Sequence, residues 1–281
     1  MRTRTVRMSS GGSTWEVIFR EIAAPLRPYV RSLMGYSERA AGVVRRRELP
    51  GPAIAVIIEL GAPIRVYDER GPHRFPGGFV AGLDEGPTMC EHDGEQRGVQ
   101  LDLTPVGARL FFGVPMCELT NRVVAIDELL PRAHRRLADR LDGMPGWEAR
   151  LDHVERLVEE RVAELSAPAR IVAWAVGRIE ERDGAVDGRA LARELGYSQK
   201  HVIHLFRDVV GVPPTQLARL VRFGRLVSLL RAGRRAPWAD VALQLGWIDQ
   251  SHMWRDVKRF AGATPGQLLP ELGDLGALFE R

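Results

Sequence analysis

At 281 residues, 45% apolar and 27% charged, the chain has the size and composition of two ordinary domains, each able to bury its own core. No run of about 18 apolar residues offers a transmembrane helix, and two cysteines are too few for a disulfide framework; membrane-embedded and disulfide-scaffolded classes are excluded, and a cytoplasmic setting is expected. The net charge of +4 is unevenly placed: 13 Lys and Arg against 6 Asp and Glu fall in 184–268, which points to a polyanionic partner for that segment.

The opening MRTRTVRMSSGGS is basic and polar, lacks the apolar stretch of a secretory signal, and reads as a flexible arm over 1–14. From 15 to 145 the chain is rich in Gly and Pro, with short apolar runs bounded by turn signals. IAVIIEL (54–60) and PIRVYDE (63–69) read as neighbouring strands, FVAGL (79–83) and GVQLDL (98–103) as further strands. PVGARLFFG and PMCELTN each open with a proline suited to a first helical position. The expectation is an antiparallel β-rich, barrel-like domain with short helices, followed by an all-α domain, an α+β chain overall.

From 132 the period becomes helical. In 146–167, Leu151, Val154, Leu157, Val158, Val162 and Leu165 form one stripe, which Pro168 is expected to stop. The stripe either packs on its own domain or forms the seam of a homodimer. Beyond it, 168–272 is predicted as a series of capped helices, with Asp187, Ser198, Asp249 and Thr264 as caps and 213–233 as one long helix; 273–281 is a tail.

Within this domain the chain repeats itself. ALARELGYSQKHVIHLFRDVVGVPPTQL (190–217) aligns with DVALQLGWIDQSHMWRDVKRFAGATPGQLL (240–269), matching Ala192 to Ala242, Gly196 to Gly246, Tyr197 to Trp247, Ser198 to Asp249 and Gly211 to Gly262. Each copy reads as helix, glycine turn, capped helix, the helix-turn-helix plan. The second helix of each copy exposes free N–H groups and a positive dipole end suited to phosphate.

On these residues the chain resembles the arabinose-regulator (AraC/XylS) type of bacterial transcription factor, over about 168–270. The resemblance implies a seven-helix domain that places two helices in successive major grooves of double-stranded DNA, with RNA polymerase as partner if the protein activates. The two positions that usually carry an aromatic pair hold Met253 and Val257, and Pro213 stands where a Ser or Thr is common. The segment before the domain resembles β-rich sensor domains of such regulators. That implies a small-molecule or protein effector, whose binding residues the sequence does not announce.

Periodicity separates the faces. Gln199, Lys200, Ile203 and His204, with Gln250, Ser251, His252 and Arg255, are the expected base readers, because Arg or Lys suits guanine, Gln suits adenine and Ile meets a thymine methyl. Ser198, Arg207, Arg222, Lys258 and Arg259 are the expected phosphate contacts. Arg219, Arg225, Arg234 and Arg235 are read as touching phosphate or solvating the long helix. His201 and His204 lack a third ligand, so no metal and no cofactor are expected. A metal- or thiol-dependent enzyme with an appended DNA-binding domain, built around His73 and Cys90-Glu91-His92, is the alternative; a basic protein binding another acidic macromolecule is a third.

Overall fold

The computed structural model describes residues 3–10, 12–68, 71–134, 136–162, 167–233, 236–269 and Leu272. The tail beyond Leu272 and Leu165 of the 146–167 stripe lie outside them.

The first half is antiparallel β-structure: β1 (Thr3–Ser10), β2 (Ser13–Arg20), β3 (Val30–Ala40), β4 (Val44–Glu48), β5 (Ile54–Glu59), β6 (Arg65–Asp68), β7 (Gly71–Arg74), β8 (Phe79–Ala81), β9 (Thr88–His92), β10 (Glu95–Leu103) and β11 (Val123–Ala125). A seven-stranded sheet runs β1-β2-β3-β10-β5-β8-β11, and a four-stranded sheet runs β4-β9-β6-β7. In β10 the alternating Val99, Leu101 and Leu103 are at most 1% exposed, as the two-residue period demands. Leu101 sits opposite Leu33 on one neighbour and Val56 on the other. Ile64 and Val66 of the smaller sheet's side pack with Phe79 of the larger, so the sheets stack as an open pair; they do not close into a barrel.

Two expectations are corrected here. The supposed flexible arm is a paired hairpin, with Thr3 opposite Arg20 and Ser10 opposite Ser13. The runs at 54–60 and 63–69 do become strands, but β5 enters the larger sheet and β6 the smaller. The buried Glu59 carboxylate accepts the Ile64 N–H at 2.8 Å and turns the chain out of the first sheet.

Short helices follow: α1 (Pro105–Phe112), α2 (Ile126–Leu129), α3 (Leu137–Asp142) and α4 (Gly146–Arg161). Thr104 caps α1 by accepting from Gly107 N–H at 3.0 Å, and Pro105 occupies its first turn. In α4, Leu151, Val154, Leu157 and Val158 are 0–3% exposed, packed on β3, α1 and α3. These four side chains are consumed inside the chain's own core and are not available to a homodimer seam. Truncating Leu151 to Ala there would cost about 2–5 kcal/mol. Gly35 of β3 lets the Trp147 ring lie flat on the sheet, since a Cβ there would sit 2.4 Å from it. Buried Arg20 ties β2 to α4 through Glu155 at 2.8 Å and through Asp152.

The helix α4 ends at Arg161, earlier than Pro168; that proline instead lies in the first turn of α5 (Ala167–Glu181), where a missing N–H costs nothing. Then come α6 (Gly188–Glu194), α7 (Gln199–Val209), α8 (Pro214–Arg231), α9 (Trp238–Gln244) and α10 (Gln250–Ala261). No described helix is long and apolar enough to cross a membrane.

Candidate nucleic-acid interface

The repeat read from the sequence recurs in the turns and in the caps of the second helices, while α9, with Pro237 at its start, lacks the side-chain cap of α6. In the first unit Asp187 caps α6, accepting from Arg189 and Ala190 N–H at 3.1 and 3.2 Å. Tyr197 N–H then returns to Ala192 O at 3.1 Å. In the second, Trp247 N–H returns to Ala242 O at 2.9 Å. Between them the turn glycines Gly196 and Gly246 sit at φ 73° and 80°, a conformation that costs glycine little. Ser198 Oγ accepts from His201 N–H at 3.2 Å and Asp249 Oδ1 from His252 N–H at 2.7 Å, so each reading helix begins capped.

The two reading helices α7 and α10 are amphipathic in the expected sense. Val202, Phe206 and Val209 are buried in α7; Met253, Val257, Phe260 and Ala261 are buried in α10, so Met253 and Val257 serve as core. Outward, Ser198, Gln199, Lys200, His204 and Arg207 are exposed and Ile203 is half-buried. Ser251, Arg255 and Lys258 are exposed on α10, with Gln250 and His252 half-buried. All eight expected base readers therefore lie on the outward sides of the two helices. Trp254, 41% exposed between Ser251 and Arg255, was missed, although its spacing of three from Ser251 is the available signal.

The linker-helix arginines are placed differently from expectation. Arg219 turns inward to Asp256, its Nε at 3.1 Å, and stacks over Phe260. Trp247 Nε1–H donates to the other Asp256 oxygen at 2.9 Å. Burial would raise the Asp256 carboxyl, but these hydrogen bonds from Arg219 and Trp247 hold it below its ordinary range. Arg222, an expected phosphate contact, donates to Gly246 O at 2.9 Å and lies over the Trp247 ring, locking the second turn. Arg225 faces Asp183 at 3.8 Å. Arg259, another expected phosphate contact, pairs with Glu85 of the β-domain. Arg234 and Arg235 lie outside the described residues.

The β-domain grips both readers at their C-terminal ends. Arg109 meets Asp208 at 3.3 Å and Thr120 Oγ donates to Gly211 O at 3.0 Å, beside α7. Arg47 donates to Ala261 O at 3.1 Å, beside Arg259 and Glu85, at the end of α10.

A cavity of about 480 Å³ lies between the two sheets and α8. Trp15, Tyr36 and Ile57 supply apolar wall, Glu48, Asp102 and His92 supply polar groups, and Val227 and Arg231 enter from α8. Cys90 also lines it; burial, with Glu48 and Glu59 nearby, pushes its thiol up to about 12, the reverse of an activated nucleophile. Cys90 and Cys117 are both free thiols. Among the described residues no three His, Cys, Asp or Glu side chains converge as a metal site.

Residues 191–270 match the family described as a helix-turn-helix domain, and residues 23–125 match one described as a domain of unknown function (DUF6597). No curated protein matches the chain. Solved structures that it resembles include ToxT from Vibrio cholerae, at 10% identity and TM-score 0.47 over 86% of this chain and 100% of that one. The C-terminal domain of AraT, a response regulator from Geobacillus stearothermophilus, aligns at 20% identity and TM-score 0.35, covering 38% of this chain and 88% of that domain. The AraC-like transcriptional activator CuxR aligns at 15% identity and TM-score 0.32, over 80% and 84% of the two chains.

Proposed function

We propose that the chain is a DNA-binding transcription regulator of the AraC type, in which α7 and α10 read two successive major grooves, about 34 Å apart on one face of the duplex. The observation that carries this reading is the duplicated unit: two capped helices, each with an apolar docking face and a polar outer face, joined by one continuous 18-residue helix. Lys200, Ile203 and His204 from α7, and Ser251, His252 and Arg255 from α10, meet base edges; Gln199 and Gln250 flank them at the helix starts, and exposed Trp254 adds an apolar contact beside Arg255. Ser198, Arg207 and Lys258 meet phosphate.

The cavity between the sheets and α8 is the effector site in this reading. It is lined by the β-domain and walled on one side by the helix that spaces the readers, so its occupancy acts directly on reader geometry. The Cys90 environment gives the enzymatic alternative no activated nucleophile, and the match over residues 191–270 is to a helix-turn-helix domain.

Footprinting the purified chain on genomic fragments tests the proposal. Two protected half-sites about 10–10.5 base pairs apart are expected, with affinity falling steeply as salt rises. Uniform protection with a salt slope and no preferred sequence would overturn it.

A further inference from the structure

Three carboxyl groups, Glu48, Asp84 and Asp102, line the cavity against two guanidinium groups, Arg46 and Arg231, and that balance restricts what it can hold. Of the two cations that line it, Arg46 is already committed: it grips the buried Glu38 carboxylate with both terminal nitrogens, one at 2.7 Å, while its guanidinium lies over the Trp15 ring. Arg231 enters from α8 and its charge faces Glu48. Glu48 is exposed and lines the cavity, and among the described residues no hydrogen bond or ion pair reaches its carboxylate. Asp102 accepts from Ser32 at 2.6 Å and from Gln100, and its remaining lone pairs border the same space.

His92 supplies an independent sign. It is 6% exposed and lines the cavity; Nε2 lies 3.2 Å from Glu38, and neither ring nitrogen makes a hydrogen bond of good geometry. In the tautomer that carries its proton on Nε2 toward Glu38, Nδ1 offers a lone pair to a donor in the cavity. The surrounding field has the same sign. Burial and the neighbouring Glu59, Glu48 and Glu38 push the Tyr36 phenol up, and burial raises the Asp102 carboxyl from its ordinary value.

We propose that the cavity takes a cationic small molecule, a protonated amine on an apolar or aromatic body, with its N–H groups on Glu48, Asp102 and His92 Nδ1 and its body against Trp15 and Tyr36. This rests on the reading of the cavity as the effector site. A carboxylate ligand would meet surplus acceptors; an ammonium satisfies them, in charge-assisted bonds and against aromatic faces that favour cations. The ligand's cation takes over part of the balance of Glu48 that Arg46 and Arg231 now supply. Occupancy therefore loosens the hold of the β-domain on the C-terminal end of α8.

The test uses the full chain and two matched probe sets: tryptamine, indole-3-propionate and 3-ethylindole; and octylamine and octanoate. Calorimetry is expected to show at least one amine binding about tenfold or more tighter than its carboxylate and neutral counterparts. Glu48→Gln, and separately Asp102→Asn, are expected to weaken that amine about tenfold, with thermal unfolding confirming that each variant is folded. Arg231→Gln is expected to tighten it. Equal or tighter binding of the carboxylates, abolished by the cavity-filling Ala55→Trp, overturns the cationic ligand and keeps the effector site. If no probe binds and Ala55→Trp leaves DNA affinity unchanged, both fall.

Discussion

The two helix-turn-helix units share a plan and differ in what fixes their reading helices. Tyr197 in the first turn is 42% exposed and stacks on His201 at 4.7 Å; its counterpart Trp247 is 2% exposed and hydrogen-bonds to Asp256. The position equivalent to Asp256 in α7 is Leu205, which is half-buried against the core. The second unit is thus pinned by a buried polar triad, Arg219–Asp256–Trp247, and the first by apolar packing together with the β-domain contact at Met116–Glu118. A sequence repeat can keep its caps and turns while exchanging the chemistry that sets helix angle.

The largest expected effect tests this contrast. Asp256→Ala leaves Arg219 and the Trp247 N–H without their buried partner and should cost about 3–5 kcal/mol. Leu205→Ala should cost nearer 1 kcal/mol, since its site is already half open. Native-state hydrogen exchange, read separately in α10 and α7, distinguishes them; equal losses in the two helices would break the comparison. The same triad predicts a pH signature. Because the folded Asp256 carboxyl is held below its unfolded value of 3.8, its contribution is fully present above that pH and is lost as pH falls through the folded value. Protection in α10 should therefore fade below about pH 4, ahead of α7.

Next in size is Trp247→Phe, which removes one donor to a buried carboxylate and should cost about 1–3 kcal/mol; Tyr197→Phe at the matching position should cost under about 0.5 kcal/mol in thermal melts.

The readers themselves can be compared on DNA. Arg255→Ala should lose about 1–3 kcal/mol of affinity and relax preference at one base of the α10 half-site, leaving the α7 half-site unchanged in footprints. Lys200→Ala should do the reverse. The smallest effects belong to the exposed pairs that attach the readers to the β-domain. Asp208→Asn and Glu85→Gln should each change global stability by less than about 1 kcal/mol, and high salt should erase the difference.

What the sequence makes legible here is local. Caps at Asp187, Ser198 and Asp249, glycine turns at Gly196 and Gly246, and the inward Val202–Phe206 and Met253–Val257 faces all follow from neighbours within a few residues. The β1–β2 hairpin escapes such a reading because its outer strand alternates Arg and Thr with few apolar residues, the pattern of a lightly buried edge. The partition of β5 and β6 into different sheets turns on a buried Glu59 carboxylate, which periodicity does not reveal. Arg219 and Arg222 look like phosphate ligands by charge; their acceptors, Asp256 and Gly246 O, lie 37 and 24 residues away. Arg259 and Glu85, 174 residues apart, show the same limit across the two domains.

The grip on α7 and α10 falls at the ends away from their capped starts: Asp208 and Gly211 on one, Arg259 and Ala261 on the other. A hand on the handles leaves the blades clear. In the proposed reading an effector acts by leverage, altering the pitch between two readers that stay unobstructed, and the output is a graded choice among operator spacings rather than a plug drawn in or out of the groove.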